Sequence, residues 1–128
     1  MEQASIPRWQ TVTGWVFSCI LAFVFLPSAF FKIAQPAGFL DEWSKTYPAS
    51  SALPIGVIEA TLFVLYIVPK TRYLGGLLML AYLGGAVATH LHAGDGLFFV
   101  PILVGIVGWL GLYLRDRKLR ALVPTVDE

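Results

Sequence analysis

Charge is scarce in this sequence, and so is cysteine. Lysine and arginine number nine and aspartate and glutamate eight in 128 residues, 13% in all, where a soluble domain would carry about a quarter. With 57% hydrophobic residues and a mean hydropathy of +0.73, the shortage excludes an ordinary water-soluble domain and implies a membrane protein. The net charge of +1 leaves no electrostatic footprint for nucleic acid. The basic run RDRKLR near the C-terminus reads as an anchor at anionic headgroups. Cys19 is the only cysteine, which rules out a thiol–disulfide exchange pair within the chain. There is no glycine-rich phosphate loop, no Ser/His/Asp constellation that one site can hold, and no second carboxylate beside Glu59 inside the hydrophobic segments. Hydrolytic and phosphoryl-transfer chemistry therefore lack candidates.

What the chain does have is long uncharged runs. No Asp, Glu, Lys or Arg occurs from Trp9 to Phe31, from Tyr73 to Gly94 or from Gly96 to Leu114. Each run approaches the roughly 20 residues that carry a helix across a hydrocarbon core. A fourth apolar stretch, Pro54 to Val68, is broken only by Glu59. The expected spans are Val12–Phe31, Leu53–Pro69, Tyr73–His92 and Leu97–Leu114. The uncharged run of the first is longer than the ~7–15 residues of a signal-peptide core, and no small-residue cleavage site follows it, so it is kept as a span.

Orientation follows from the basic residues, because Lys and Arg near span ends stay in the cytoplasm. Arg8, Lys70, Arg72, Arg115, Arg117, Lys118 and Arg120 fall on one side, and Lys32 and Lys45 on the other. Both termini are expected in the cytoplasm of a multi-pass cell-membrane protein. The fold expected is all-α, a single transmembrane domain over residues 1–128. It is an antiparallel four-helix bundle with a short interfacial helix between spans one and two, since Pro69–Arg72 and His92–Gly96 leave room only for tight turns.

That interfacial helix is read at about 36–47, between Pro36 and Pro48. Phe39, Leu40, Trp43 and Tyr47 recur at helical spacing on one side, with Asp41, Glu42 and Lys45 on the other. It either roofs the outer end of the bundle or only caps and anchors the helices. Ala81, Gly85 and Thr89 on span three, and Gly105 and Gly108 on span four, are expected to form seams where backbones approach. Pro27 and Pro101 each remove a backbone hydrogen bond and permit a kink, so the outer third of the bundle is expected to open into a cavity.

Glu59, roughly five residues into span two, comes to the level of Lys32 at the end of span one and His90 near the end of span three. An ionised group facing lipid costs at least ~2.5–3.5 kcal/mol at the bilayer centre, so Glu59 is expected to point inward and find a partner. His90 and His92 lie about 200° apart on a helix and cannot both face one metal ion, so no metal site is assigned. A bis-histidine haem within the chain is likewise not expected. His90 is placed on an inward stripe with Met79, Leu83 and Ala86, and Glu59 on one with Gly56, Phe63 and Tyr66. Glu59, His90 and Lys32 are thus the candidate ligand-binding or proton-handling groups, with Tyr66, Phe63, Trp43 and His92 as candidate pocket lining. Such a pocket suits a small amphipathic or quinone-like ligand. The competing reading is a structural Glu59–Lys32 or Glu59–His90 pair that fixes helix register.

Four stretches carry a family resemblance: Ser28-Ala29-Phe30-Phe31-Lys32 closing span one, Leu53-Pro54-Ile55-Gly56-Val57-Ile58-Glu59 opening span two, Val68-Pro69-Lys70-Thr71-Arg72 in the turn, and Ala88-Thr89-His90-Leu91-His92 ending span three. In this order they resemble the DoxX-like family of small four-span membrane proteins. The resemblance implies no single activity, since the family includes a small subunit of a thiosulfate:quinone oxidoreductase, membrane partners of redox-defence enzymes and an assembly helper for receptor channels. The expectation is a membrane subunit or accessory of a quinone-linked oxidoreductase, with no cofactor of its own beyond a quinone, a partner membrane or redox protein, and scope for homo-oligomers. An assembly chaperone or structural partner is the alternative, and a proton-coupled small-molecule transporter the third reading.

Overall fold

The computed structural model describes residues 5–123 of the chain. The termini that the charge pattern assigns to the cytoplasm lie outside these residues, as do the outermost parts of the single domain drawn over 1–128. Six α-helices and no strand occur among the described residues: α1 (Arg8–Ala34), α2 (Phe39–Trp43), α3 (Ala52–Ile67), α4 (Arg72–Ala93), α5 (Phe99–Arg115) and α6 (Arg117–Leu122). α1, the stretch Ala49–Ile67 that adds a 3₁₀ turn to α3, and α4 are long and apolar enough to cross a membrane. α5, at 17 residues, stands at the lower limit for a span.

Punctuation along the chain explains the boundaries. α1 runs a turn beyond the expected span at its start and nearly a turn beyond it at its end. It stops where Gln35 takes a left-handed conformation (φ 47°), donates its N–H to the Phe31 carbonyl and is followed by Pro36. α4 ends the same way at Gly94, φ 66°, a conformation that glycine adopts without a side-chain clash. α5 starts at Phe99, two residues later than the span was drawn. Pro101 therefore sits in its first turn, where no intrahelical N–H bond is lost, and the kink expected there is not needed. α2 is a five-residue helix rather than one filling 36–47, because the chain continues as turns from Ser44 to Tyr47.

The four long helices form a ring in which α1 packs on α3 and α5, and α4 packs on α3 and α5. Inward residues of α1 recur every three or four positions, at Gly14, Ser18, Leu21, Phe25 and Ala29, which is the spacing of one helical face. Glycines set the close approaches. A Cβ on Gly56 at the start of α3 would lie 2.7 Å from Lys32 Cβ at the end of α1, and one on Gly75 at the start of α4 would lie 2.3 Å from the Tyr66 backbone nitrogen at the end of α3. Gly14 near the start of α1 meets Gly111 near the end of α5 just as closely.

Gly105 and Gly108 take part in such seams, against Leu80 and Leu83 and against Leu21. The stripe Ala81, Gly85 and Thr89 does not. A Cβ on Gly85 would meet nothing within 4 Å, and all three residues border a cavity instead. A stripe of small side chains allows a neighbour to approach; here no neighbour does.

Candidate functional site

Glu59 projects from α3 into the ring together with Ala52, Gly56, Leu62 and Tyr66 and is 5% exposed. Lys32, in the last turn of α1, places its Nζ 3.2 Å from Glu59 Oε1 and 3.1 Å from Oε2. Ser28, one turn earlier on the same face, donates to Oε1 at 3.2 Å and accepts a short hydrogen bond from Lys32 Nζ. Tyr82 of α4 donates its hydroxyl to the same Oε1 at 2.5 Å. Two helices, α1 and α4, thus supply a cation and two hydroxyls to the one carboxylate of α3. That is the degree of pairing needed to offset the desolvation of two charges. All four hydrogen-bonding groups are side chains.

The 36–51 segment closes over this network. The Trp43 ring lies 5.6 Å from Lys32 Nζ, within cation–π range, and its indole N–H donates to the Pro48 carbonyl and to Ser51 Oγ. Trp43 packs between Phe39 and Tyr47 at ring separations of 5.8 and 4.6 Å, while Glu42 and Lys45 pair on the exposed side. The two-sided pattern of this stretch therefore exists, although most of it is turn rather than helix.

Beside the network lies a cavity of about 640 Å³, within the usual range for small-molecule sites. Ser28, Lys32, Glu59 and Tyr82 border it, Val24, Phe25, Ile55, Val100 and Val104 give it apolar walls, and Trp43 and Tyr47 reach it from the 36–51 segment, an aromatic strap between α1 and α3. His90 is also on its wall, yet its hydrogen-bond partner is not Glu59. Its Nδ1 lies 2.6 Å from Asp95 Oδ2 in the α4–α5 loop, and Asp95 Oδ1 accepts the Leu97 N–H at 2.8 Å. The Leu97 N–H, and after it His90, hold the Asp95 carboxyl below its ordinary value.

Three of the expected lining residues lie elsewhere. Tyr66 shares the inward face with Glu59 but sits seven residues along, about 10 Å deeper, where it donates to the Gly108 carbonyl at 2.6 Å and contacts Ser18 Oγ. Phe63 is rotated off that face, Leu62 taking its place, and stacks on Tyr66. His92, two residues past His90 and so on the opposite side of α4, is exposed. Tyr82 and Ser28 are not among the residues expected at the site, and Asp95 is not expected there as the partner of His90. Ser28 could have been found one turn before Lys32, and Tyr82 as a mid-span hydroxyl that must find a partner in lipid. Among the described residues no group of three or more His, Cys, Asp or Glu side chains is placed to hold a metal ion.

Comparison with known proteins adds one finding. The profile described as the DoxX-like family matches residues 16–111, a range that holds all of the side chains around Glu59 and the His90–Asp95 pair. Neither the curated proteins nor the solved structures gave a match.

Proposed function

Because this chain belongs to the DoxX-like family, we propose that it serves as a membrane subunit or accessory of a quinone-linked oxidoreductase and that its cavity receives the quinone head. The carrying observation is the Glu59–Lys32–Tyr82 layer at the edge of an apolar-walled space of about 640 Å³. A structural ion pair alone gives no reason for so large a space beside it. A flat ring fits against Phe25, Ile55 and Val104, and a ring oxygen shares the Lys32 ammonium with Glu59. In this reading the helices run up and down across the membrane. The end rich in Arg and Lys is cytoplasmic, and the Glu59 end lies towards the outer leaflet.

The redox centre belongs to a partner protein, since the chain offers no candidate of its own. Trp43 and Tyr47 face the cavity, which leaves the aromatic strap less surface for docking a client, as the assembly-partner reading would need. The test is mild-detergent purification from the native membrane, followed by mass spectrometry of co-purifying quinones and proteins. Retained quinone is expected in the wild type. With Glu59→Gln, which keeps the shape but releases Lys32, retention should fall at least about tenfold, or 1.4 kcal/mol. Wild-type protein free of quinone would sink the proposal.

A further inference from the structure

His90 stands apart from the Glu59 network but lines the same cavity, and its partner Asp95, in the α4–α5 loop, is not part of that lining. Around Glu59 the polar atoms already have partners within the chain, and the group a ligand shares there is a donor: Ser28 and Tyr82 donate to the carboxylate, and the Lys32 ammonium serves Glu59 and Ser28. His90 has one nitrogen engaged and, among the described residues, no hydrogen bond at the other. Which role that free nitrogen can play is decided by Asp95. An ionised carboxylate only accepts hydrogen bonds, and the Leu97 N–H and His90 favour the ionised form of Asp95. A neutral imidazole facing it through Nδ1 must therefore carry its proton on Nδ1, which makes Nε2 an acceptor. Tyr47, the hydroxyl on the strap side, can either donate or accept and so makes no such choice.

We infer that His90 Nε2 accepts a hydrogen bond from a ring hydroxyl of the ligand, so that the cavity favours a quinol over its quinone, and that Asp95 is the positioning residue that sets this preference. The inference rests on the quinone reading above. It gains a strict consequence from the geometry of Asp95, whose Oδ1 is held by the Leu97 N–H while Oδ2 faces His90. In Asp95→Asn the amide oxygen must keep the Leu97 position, so the NH₂ group turns to His90 Nδ1. The imidazole proton then moves to Nε2, which becomes a donor suited to a quinone carbonyl.

The experiment measures binding of a short-tailed benzoquinone and of its quinol, anaerobically, to the full chain in lipid nanodiscs at a pH where His90 is neutral. Nitrogen-15 NMR of the imidazole runs alongside and needs no ligand; His90→Gln identifies the signal. Wild type should show the Nδ1–H tautomer and prefer the quinol, by about fivefold to tenfold for one neutral hydrogen bond gained or lost. Asp95→Asn should show the Nε2–H tautomer and reverse the preference, and His90→Gln should bring it close to one. Both forms binding equally to wild type, or a preference unmoved when the tautomer switches, overturns the role of His90 and Asp95 and leaves the quinone reading standing. An Nε2–H tautomer in wild type does the same. Neither form binding to protein with the expected tautomer overturns the quinone reading and this inference with it.

Discussion

The molecule carries the same three-part constellation at both ends, and the two are put to different uses. At one end Glu59 meets Lys32 and Tyr82; at the other Asp116 meets Arg72 as an ion pair and accepts the Tyr73 hydroxyl at 2.8 Å. Both acids are buried, with side chains 7% and 2% exposed. Asp116, however, also accepts the Leu119 N–H at 2.9 Å and so caps α6, and it stands among glycine-mediated close contacts of α1, α3, α4 and α5. Glu59 takes its hydrogen bonds from side chains alone and borders a space. What marks a buried ion pair as a site is the room beside it and the lack of a backbone task, not the pair itself.

The largest way to break this comparison is to disturb the filled end. Alanine at Gly75 would put a Cβ 2.3 Å from the Tyr66 backbone nitrogen and 2.4 Å from the Leu65 carbonyl carbon. Backbone atoms cannot swing aside as a side-chain tip can, so α3 and α4 must separate. Gly75→Ala should lose at least the ~1–3 kcal/mol typical of overpacking, read as a lower thermal midpoint and lower folded yield in detergent. A wild-type melt would mean that the seam is looser than these contacts imply.

The next effect is confined to acid pH. Burial pushes the Asp116 carboxyl up, but the Leu119 N–H, Tyr73 and Arg72 outweigh it and hold the value below the ordinary 3.8. A carboxyl whose folded-state value is depressed stabilises the fold above its unfolded value, and that contribution is lost as pH falls through the folded value. Wild type should therefore lose stability below about pH 4. Asp116→Asn should start less stable at neutral pH and lose less on acidification. Because Asp95 is also held low, the informative quantity is the difference between the two melting curves. Parallel curves would remove Asp116 from the cap and the ion pair.

How far the sequence reveals each end follows from the same contrast. Uncharged runs, the 3.6-residue stripe through Gly56 and Glu59, and the level of Lys32 are properties of single helices, and these were legible. For Tyr82 the sequence signals only that a mid-span hydroxyl needs a partner; that the partner is Glu59, on another helix, is a tertiary fact. Asp116 was not legible, because it sits in a basic run that reads as a surface anchor; its partner Tyr73 is 43 residues away in sequence. Tyr66 was placed by face but not by depth, since a helical stripe fixes direction and says less about which layer of the bundle a residue reaches. The stripe Ala81, Gly85 and Thr89 was read as a seam because small residues look the same beside a partner helix and beside a void.

That last ambiguity yields the prediction with the smallest expected effect. Gly85 is helical, and a Cβ there meets nothing within 4 Å, so Gly85→Ala adds a methyl group to the cavity wall and replaces a poor helix former by a good one. Stability should stay within about 1 kcal/mol of wild type, on the favourable side, while the space for a ligand narrows by one methyl. Set beside Gly75→Ala, the same chemical change at two glycines of α4 separates a filled end from an open one. If Gly85→Ala proves as damaging as Gly75→Ala, the space is occupied by something packed as tightly as a helix in the membrane. The stripe would then be a seam after all, closed by another protein rather than by this chain.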